Sequence, residues 1–311
     1  MEASADNICS GCEYNFFEAV GYSEERIKEE LLRHGIWRNK VNCGRCGNPL
    51  NAQVSGLRFH CGKTIRRGKK RPTKCDWSRS VWAGTFLENK QIDFVTLWRF
   101  ILTLLIWKPP RTPQITRFLG LTQKTIVYWY SFCREVFIHD VFSKAERLGG
   151  QDRVVEVGEA KLKCWKFDKD STFEGESVFW GVERETLRNF LISVDTCDGD
   201  TLLSVLREWV VPGATVMSDC WKAYDCLENE GFRRLTVDYS YNFVDIRIGS
   251  HLNPTNNTWR EICSSIPRKG VRKDKTLGYL AEGLFKAKYP DLAKRHHHFL
   301  IAAAKLYPPD Y

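Results

Sequence analysis

The sequence predicts an α/β chain in which a small cysteine-rich β unit and a run of helices precede a mixed-sheet domain. Three observations carry that prediction. Four cysteines gather between residues 43 and 75, apolar residues recur at helical spacing from 91 to 150, and strand and helix patterns alternate from 151 onward. At 311 residues the chain is long enough for two or three compact units. Apolar residues make up 43% and charged residues 27%, and 11 Trp, 11 Tyr and 18 Phe supply ample surface to bury, which excludes a disordered chain. The longest apolar run, Phe94 to Trp107, contains Arg99 and is too short to span a bilayer. Met1 to Ser10 carries Glu2 and Asp6 and has no apolar signal core, so neither a membrane partner nor a secretory route is expected. The 12 cysteines then read as thiols or metal ligands, not as a disulfide framework.

The formal charge of +9 is concentrated. Arg58 to Arg79 has a balance of +8, Arg268 to Arg295 one of +6, and the remainder sums to −5. Two basic stretches on a mildly acidic chain point to a polyanion, with nucleic acid the commonest; solvated surface is the alternative.

Residues 1–40 form an N-terminal helical segment, helical around Glu24 to His34. In residues 41–90, Cys43-Gly-Arg-Cys46 is followed by Cys61 and Cys75, the spacing of a zinc ribbon. Four thiolates would close a tetrahedral shell around a structural Zn²⁺, which replaces a core this segment is too short to build. The basic insert Gly62 to Lys74 separates the last two ligands where a second tight knuckle would be usual. Cys9 and Cys12 form another Cys-x-x-Cys that could compete for the metal, and four buried thiols remain the plain alternative.

Residues 91–150 hold a helix-turn-helix pattern. Thr112 and Pro113 start one helix, Gly120 ends it, and Thr122 caps a second whose apolar positions are Ile126, Tyr130, Cys133 and Phe137. In a DNA-binding unit of this shape the second helix presents its first residues to the major groove, here Gln123, Lys124, Thr125 and Tyr128. An ordinary helical hairpin has the same pattern.

Residues 151–311 begin with three strands, Arg153 to Cys164, Ser177 to Glu185 and Arg188 to Asp195. A helix (Asp200 to Val210), a strand (Ala214 to Ser218), a helix (Cys220 to Asn229) and a strand (Arg233 to Asp238) follow. That order is the order of a ribonuclease-H-like fold, in which catalytic carboxylates come from the first strand, the end of the fourth and a later helix. The His296-His297-His298 run reads as a solvated helix face, neither tag nor metal site.

Several collinear motifs carry a resemblance. They are Met217-Ser218-Asp219-Cys220-Trp221-Lys222-Ala223-Tyr224, Tyr241-Asn242-Phe243-Val244-Asp245, the stretch His251 to Trp259, Phe179-Trp180-Gly181-Val182-Glu183-Arg184, and Gly278-Tyr279-Leu280-Ala281-Glu282. With the cysteines and the helix pair in the same order, residues 20–290 resemble a Merlin-type DDE transposase and its bacterial insertion-sequence relatives. The resemblance implies DNA strand cleavage and transfer by carboxylates that hold two Mg²⁺ or Mn²⁺ ions, one activating the attacking oxygen and one stabilising the leaving oxygen.

Laid onto this chain, the family's second acid is Asp219, its first falls on Gly158 and its third on Asn256. Glycine offers no side-chain oxygen and asparagine one neutral carbonyl, although some bacterial relatives also use Asn at the third position. Glu156, two positions along the same strand face, is a candidate substitute at roughly 6.5–7 Å along the backbone. Glu159 points to the other face, and Glu261 is turned away from Asn256. Asp219 could also simply cap the helix after it.

The expectation is a transposase-derived DNA-binding protein with an impaired catalytic site, Zn²⁺ as its structural cofactor, and Mg²⁺ or Mn²⁺ only if it is active. Alternatives are an active transposase cutting at terminal inverted repeats and a protein-interaction scaffold; a homodimer is left open, and no small-molecule cofactor is expected. DNA contact is assigned to the helix residues above and to Arg66, Arg67, Lys69, Lys70 and Arg71. The last five sit in a run that could also serve as a nuclear import signal. The location expected is the nucleus in a eukaryote and otherwise the cytoplasm or nucleoid.

Overall fold

The computed structural model describes residues 9–52, 57–66, 71–88, 90–108, 111–143, 146–161, 165–168, 171–173, 177–194, 196, 198–218, 231–236, 262 and 273–311. The chain divides into two compact units. One holds Met1–Ile106, Phe118–Gly120 and Asp291–Tyr311, and the other holds Trp107–Arg117 and Leu121–Pro290. The last helix of the chain falls in the first of these units.

In the first unit, α1 (Phe16–Val20) and α2 (Glu24–Arg33) are each opened by a side-chain cap: Asn15 accepts from Phe17 N and Ser23 from Arg26 N. The helix α3 (Phe94–Ile106) is buried along most of its length and packs against α2. The C-terminal helix, numbered α8 (Leu292–Leu306), packs against α3 as well. Its buried residues include Arg295, His296, His297, Phe299, Leu300 and Ala303, so the histidine run is not a solvated face. Counting back three and four residues from Phe299 and Leu300 places 295 to 297 on the core side of the helix.

Also in this unit, β1 (Lys40–Asn42) pairs antiparallel with β2 (Pro49–Asn51), and β3 (Arg58–Cys61) with β6 (Trp77–Ser80). Between them the basic insert folds into its own hairpin, β4 (Thr64–Ile65) against β5 (Thr73–Lys74).

The pair α4 (Thr112–Leu119) and α5 (Gln123–Val141) is separated by Gly120 at φ +65°, a left-handed turn that glycine adopts without strain. Thr122 caps α5 by accepting from Thr125 N at 3.2 Å.

The second unit is built on a five-stranded sheet in the order β12-β11-β8-β14-β15. The strand β8 (Val154–Lys161) is central. On one side it pairs antiparallel with β11 (Ser177–Glu183), which pairs with β12 (Asn189–Val194). On the other it pairs parallel with β14 (Thr215–Ser218), which pairs with β15 (Arg233–Thr236). A hairpin of β9 (Trp165–Asp168) with β10 (Ser171–Phe173) lies between β8 and β11 in the chain. A two-stranded parallel pair, β7 (Leu148–Gly149) with β13 (Val210–Val211), completes the strands.

Alternation along β8 decides what each face does. Val155 and Val157 are buried in a cluster with Phe179, Phe190 and Val216, and α6 (Gly199–Trp209) adds Leu202, Val205 and Leu206. Glu156 and Gly158 lie on the opposite face. The long helix α7 (Lys273–Lys288) packs against β8 and α5. A Cβ on its Gly278 would lie 2.6 Å from Arg134 Cδ, so glycine there permits the close approach of α5. The helix expected at Cys220–Asn229 lies outside the described residues. No helix among the described residues is long and apolar enough to cross a membrane.

Candidate functional site

Cys43, Cys46, Cys61 and Cys75 converge, with their sulfurs all within 4.8 Å of one another. Cys43 and Cys75 Sγ are 3.6 Å apart, and Cys46 and Cys61 Sγ 3.5 Å. Sulfurs in a tetrahedral zinc shell with bonds near 2.3 Å stand about 3.8 Å apart, so the four residues fit such an ion. The missing second knuckle is supplied by pairing: the β4–β5 hairpin returns the chain so that Cys75 N donates to Lys63 O at 2.7 Å. Burial opposes ionisation of Cys43, but the N–H groups of Arg45 and Cys46 outweigh it and draw the thiol down to about 7. At Cys61 the Lys63 N–H is outweighed by burial and the neighbouring thiols, which push it up to about 12, and burial pushes Cys75 up, so the metal-free cluster shares its protons unevenly.

The β4–β5 hairpin carries the first basic stretch into solvent. Lys63, Arg66, Arg71 and Lys74 are exposed, whereas Arg67, Lys69 and Lys70 lie outside the described residues. At the start of α5, Gln123, Lys124 and Tyr128 are exposed, with Tyr128 at 48%. Thr125 differs from these three. It is half-buried, and its hydroxyl lies 2.9 Å from Thr122 Oγ1 within the cap.

Three cations of the second basic stretch already have partners. Lys286 Nζ bonds Glu282 Oε1 at 2.7 Å, Lys288 Nζ bonds Asp140 Oδ2 at 2.8 Å, and buried Arg295 donates to Leu105 O at 2.7 Å. Each of these cations is committed inside its own unit.

On the central strand, position 158 stands opposite Trp180 in the β8–β11 register. A Cβ built on Gly158 would lie 2.5 Å from Trp180 Cζ2, so the indole lies across the backbone where a side chain would emerge. Glu156 is 2% exposed, and Arg184 Nη2 makes an ion pair with its Oε1. Its carboxylate is thus held by a cation from the turn after β11. Asp219 and Asn256 lie outside the described residues, so the structure gathers Gly158 and Glu156 only. Gly158 has no side-chain oxygen, and the Glu156 carboxylate is paired with Arg184.

Two further carboxylates, Glu183 and Glu282, are buried, and the sequence offered no role for either. Glu183 accepts from Gly149 N at 2.8 Å, Thr186 Oγ1 at 2.7 Å and Arg188 Nη2 at 3.0 Å, and so ties the β11–β12 turn to β7. Glu282 binds Arg111 through both oxygens at 2.8 Å. Burial alone would raise the pKa of Glu282, but Arg111 and Lys286 lower it to about 2. Arg111 and Lys286 also donate to Trp107 O, both at 2.9 Å, which fixes the Trp107–Arg111 segment. The signal for both was a place in a motif of the resemblance, Phe179 to Arg184 for Glu183 and Gly278 to Glu282 for Glu282.

These features define a mixed-sheet domain with carboxylates on and beside its central strand, in a chain that also carries a four-cysteine cluster. Residues 157–288 match the family described as the ISXO2-like transposase domain, so a transposase-related domain of the insertion-sequence type is present there. No curated protein matches the chain. Among solved structures, a chain of the simian T-cell lymphotropic virus intasome in complex with PP2A regulatory subunit B56 gamma, determined by cryo-electron microscopy, is similar at 13% identity. The likeness covers 48% of this chain and 52% of that one, with a TM-score of 0.22. The match thus spans about half the length of that chain.

Proposed function

We propose that the chain is a Merlin-type, transposase-derived protein that binds double-stranded DNA and whose ribonuclease-H-like domain is impaired in metal-dependent strand cleavage. The observation that carries the reading is the pair Gly158 and Trp180: the central strand offers no oxygen where the first metal-binding acid would stand, and an indole lies over that point. Support comes also from Glu156, whose charge is met by Arg184, a geometry that leaves little slack for a metal. Asn256 at the third position offers one neutral oxygen.

DNA contact rests on two features. The β4–β5 hairpin exposes Arg66 and Arg71 beside a metal-ligand cluster that would stiffen its base. The helix α5, read as the second helix of a helix-turn-helix, exposes Gln123, Lys124 and Tyr128. Phosphate contacts by the hairpin would supply affinity, and the helix would supply any base readout. Nuclear localisation through residues 66–71 follows in a eukaryotic source.

The test is paired. The purified chain is assayed for binding to duplex DNA and for nicking in Mg²⁺ or Mn²⁺, beside an Asp219→Ala variant. The reading expects salt-sensitive binding by both and nicking by neither. Nicking that disappears with Asp219→Ala would establish an active transposase, and no binding at physiological salt would establish a scaffold.

A further inference from the structure

We propose that Cys9, Cys12, His34 and His297 form a second zinc site, which clips the N-terminal segment to the C-terminal helix α8. The ligand atoms of these four residues all lie within 4.8 Å of one another. Cys12 Sγ is 3.3 Å from His34 Nε2 and 3.4 Å from His297 Nδ1, and the two ring nitrogens are 3.1 Å apart. A tetrahedral zinc ion with ordinary Zn–S and Zn–N bonds would set sulfur and nitrogen about 3.5 Å apart and two nitrogens about 3.3 Å apart. The observed spacings lie close to those values.

The surroundings prepare the ligands. His34 is the C-terminal cap residue of α2, and its Nδ1 lies 2.7 Å from Glu30 O. A proton on Nδ1 donated to that carbonyl leaves the Nε2 lone pair facing the cluster, the usual arrangement behind a metal-bound histidine. Backbone bonds hold the other members: Cys9 N donates to Arg33 O at 3.0 Å and Tyr14 N to Ala293 O at 2.8 Å. Both histidines are buried while Cys9 and Cys12 are half-buried, so the site is anchored inside and reachable from outside. Two thiolates and two imidazoles select zinc over hard cations such as Mg²⁺ or Ca²⁺.

The site differs from the four-cysteine cluster in what it joins. That cluster stabilises one short segment, whereas this one ties together residues 285 positions apart. Closing so long a span costs entropy that grows only slowly with its length, so a single ion is an effective fastener there.

The experiment uses the full chain, purified without chelators, with bound metal counted by mass spectrometry. The expected result is two zinc ions per chain, falling to one in Cys9→Ser/Cys12→Ser and, separately, to one in Cys43→Ser/Cys46→Ser. Should the serine variants misfold, His297→Cys supplies a replacement ligand and is expected to keep both ions. Its Co²⁺-substituted form should then gain thiolate-to-metal charge-transfer intensity over the unaltered chain, because one nitrogen has become a third sulfur. One zinc in the unaltered chain that survives Cys9→Ser/Cys12→Ser would overturn the proposal. A Cys9–Cys12 disulfide in the native protein, or no gain in the His297→Cys spectrum, would do the same.

Discussion

The Trp180 indole occupies the space into which a side chain at Gly158 would grow, with Trp180 Cζ2 2.5 Å from the ideal Cβ position. The two residues are directly cross-strand in the β8–β11 ladder, so neither can change without the other responding. An aspartate at 158 and the indole in its present rotamer are mutually exclusive.

Restoring the acid therefore has a stability cost that depends on the indole. Gly158→Asp alone is expected to destabilise the chain by about 1–3 kcal/mol, the usual cost of forcing extra atoms into a packed site. Adding Trp180→Ala should recover part of that loss, giving a favourable coupling above about 0.5 kcal/mol in a double-mutant cycle. Urea unfolding of the four proteins measures it. Strictly additive effects would mean that the indole does not constrain position 158.

The Glu282 cluster predicts how the fold responds to acid. The carboxyl is lowered to about 2 from 4.5 in the unfolded chain, chiefly by Arg111 once burial is overcome. A depressed folded-state pKa stabilises the protein above pH 4.5, and the contribution fades as pH falls toward 2. Its size is on the order of 3 kcal/mol. Glu282→Gln should flatten the stability profile across that window, and an unchanged profile would show that Glu282 is not ionised in the folded state.

Glu183 predicts a purely structural phenotype. Glu183→Ala would leave Gly149 N–H, the Thr186 hydroxyl and Arg188 without their shared acceptor. The loss expected is about 2–3 kcal/mol by thermal or urea unfolding. A neutral result would mean that water replaces the carboxylate at all three donors.

The two basic stretches should differ in DNA binding. Neutralising Lys69, Lys70 and Arg71 together is expected to reduce the slope of log affinity against log salt by roughly 2 to 3. Lys286→Ala and Lys288→Ala should leave that slope alone, because both ammonium groups already face carboxylates of their own unit. The reverse pattern would move the DNA surface to the C-terminal stretch.

What the sequence made legible follows from the range of the interactions involved. Strands β8, β11 and β12 were readable because alternation and a tight turn are local properties, and Thr122 was readable as a cap for the same reason. The four cysteines were readable from one knuckle and two later thiols, but not the device that closes them, since Thr64↔Lys74 pairing is a hairpin hidden inside a charge run. Glu156 could be read as a substitute ligand but its ion pair could not, because its partner Arg184 is 28 positions away, in a turn. The histidines looked solvated for a related reason. A polar run suggests an outer helix face, and only the docking of α8 on α3, with His296 ring-to-ring against Trp98 at 4.1 Å, makes it an inner one.

The proposed function is DNA binding without strand cleavage, resting on the missing side-chain oxygen at Gly158. The most direct measurement places the unmodified protein with plasmid DNA containing the sequence that flanks its gene, in Mn²⁺, and follows binding and nicking in the same tube. The account predicts a salt-sensitive complex and no nicked plasmid above the protein-free control. Metal-dependent nicking by the unmodified chain, abolished by Asp219→Ala, would contradict it.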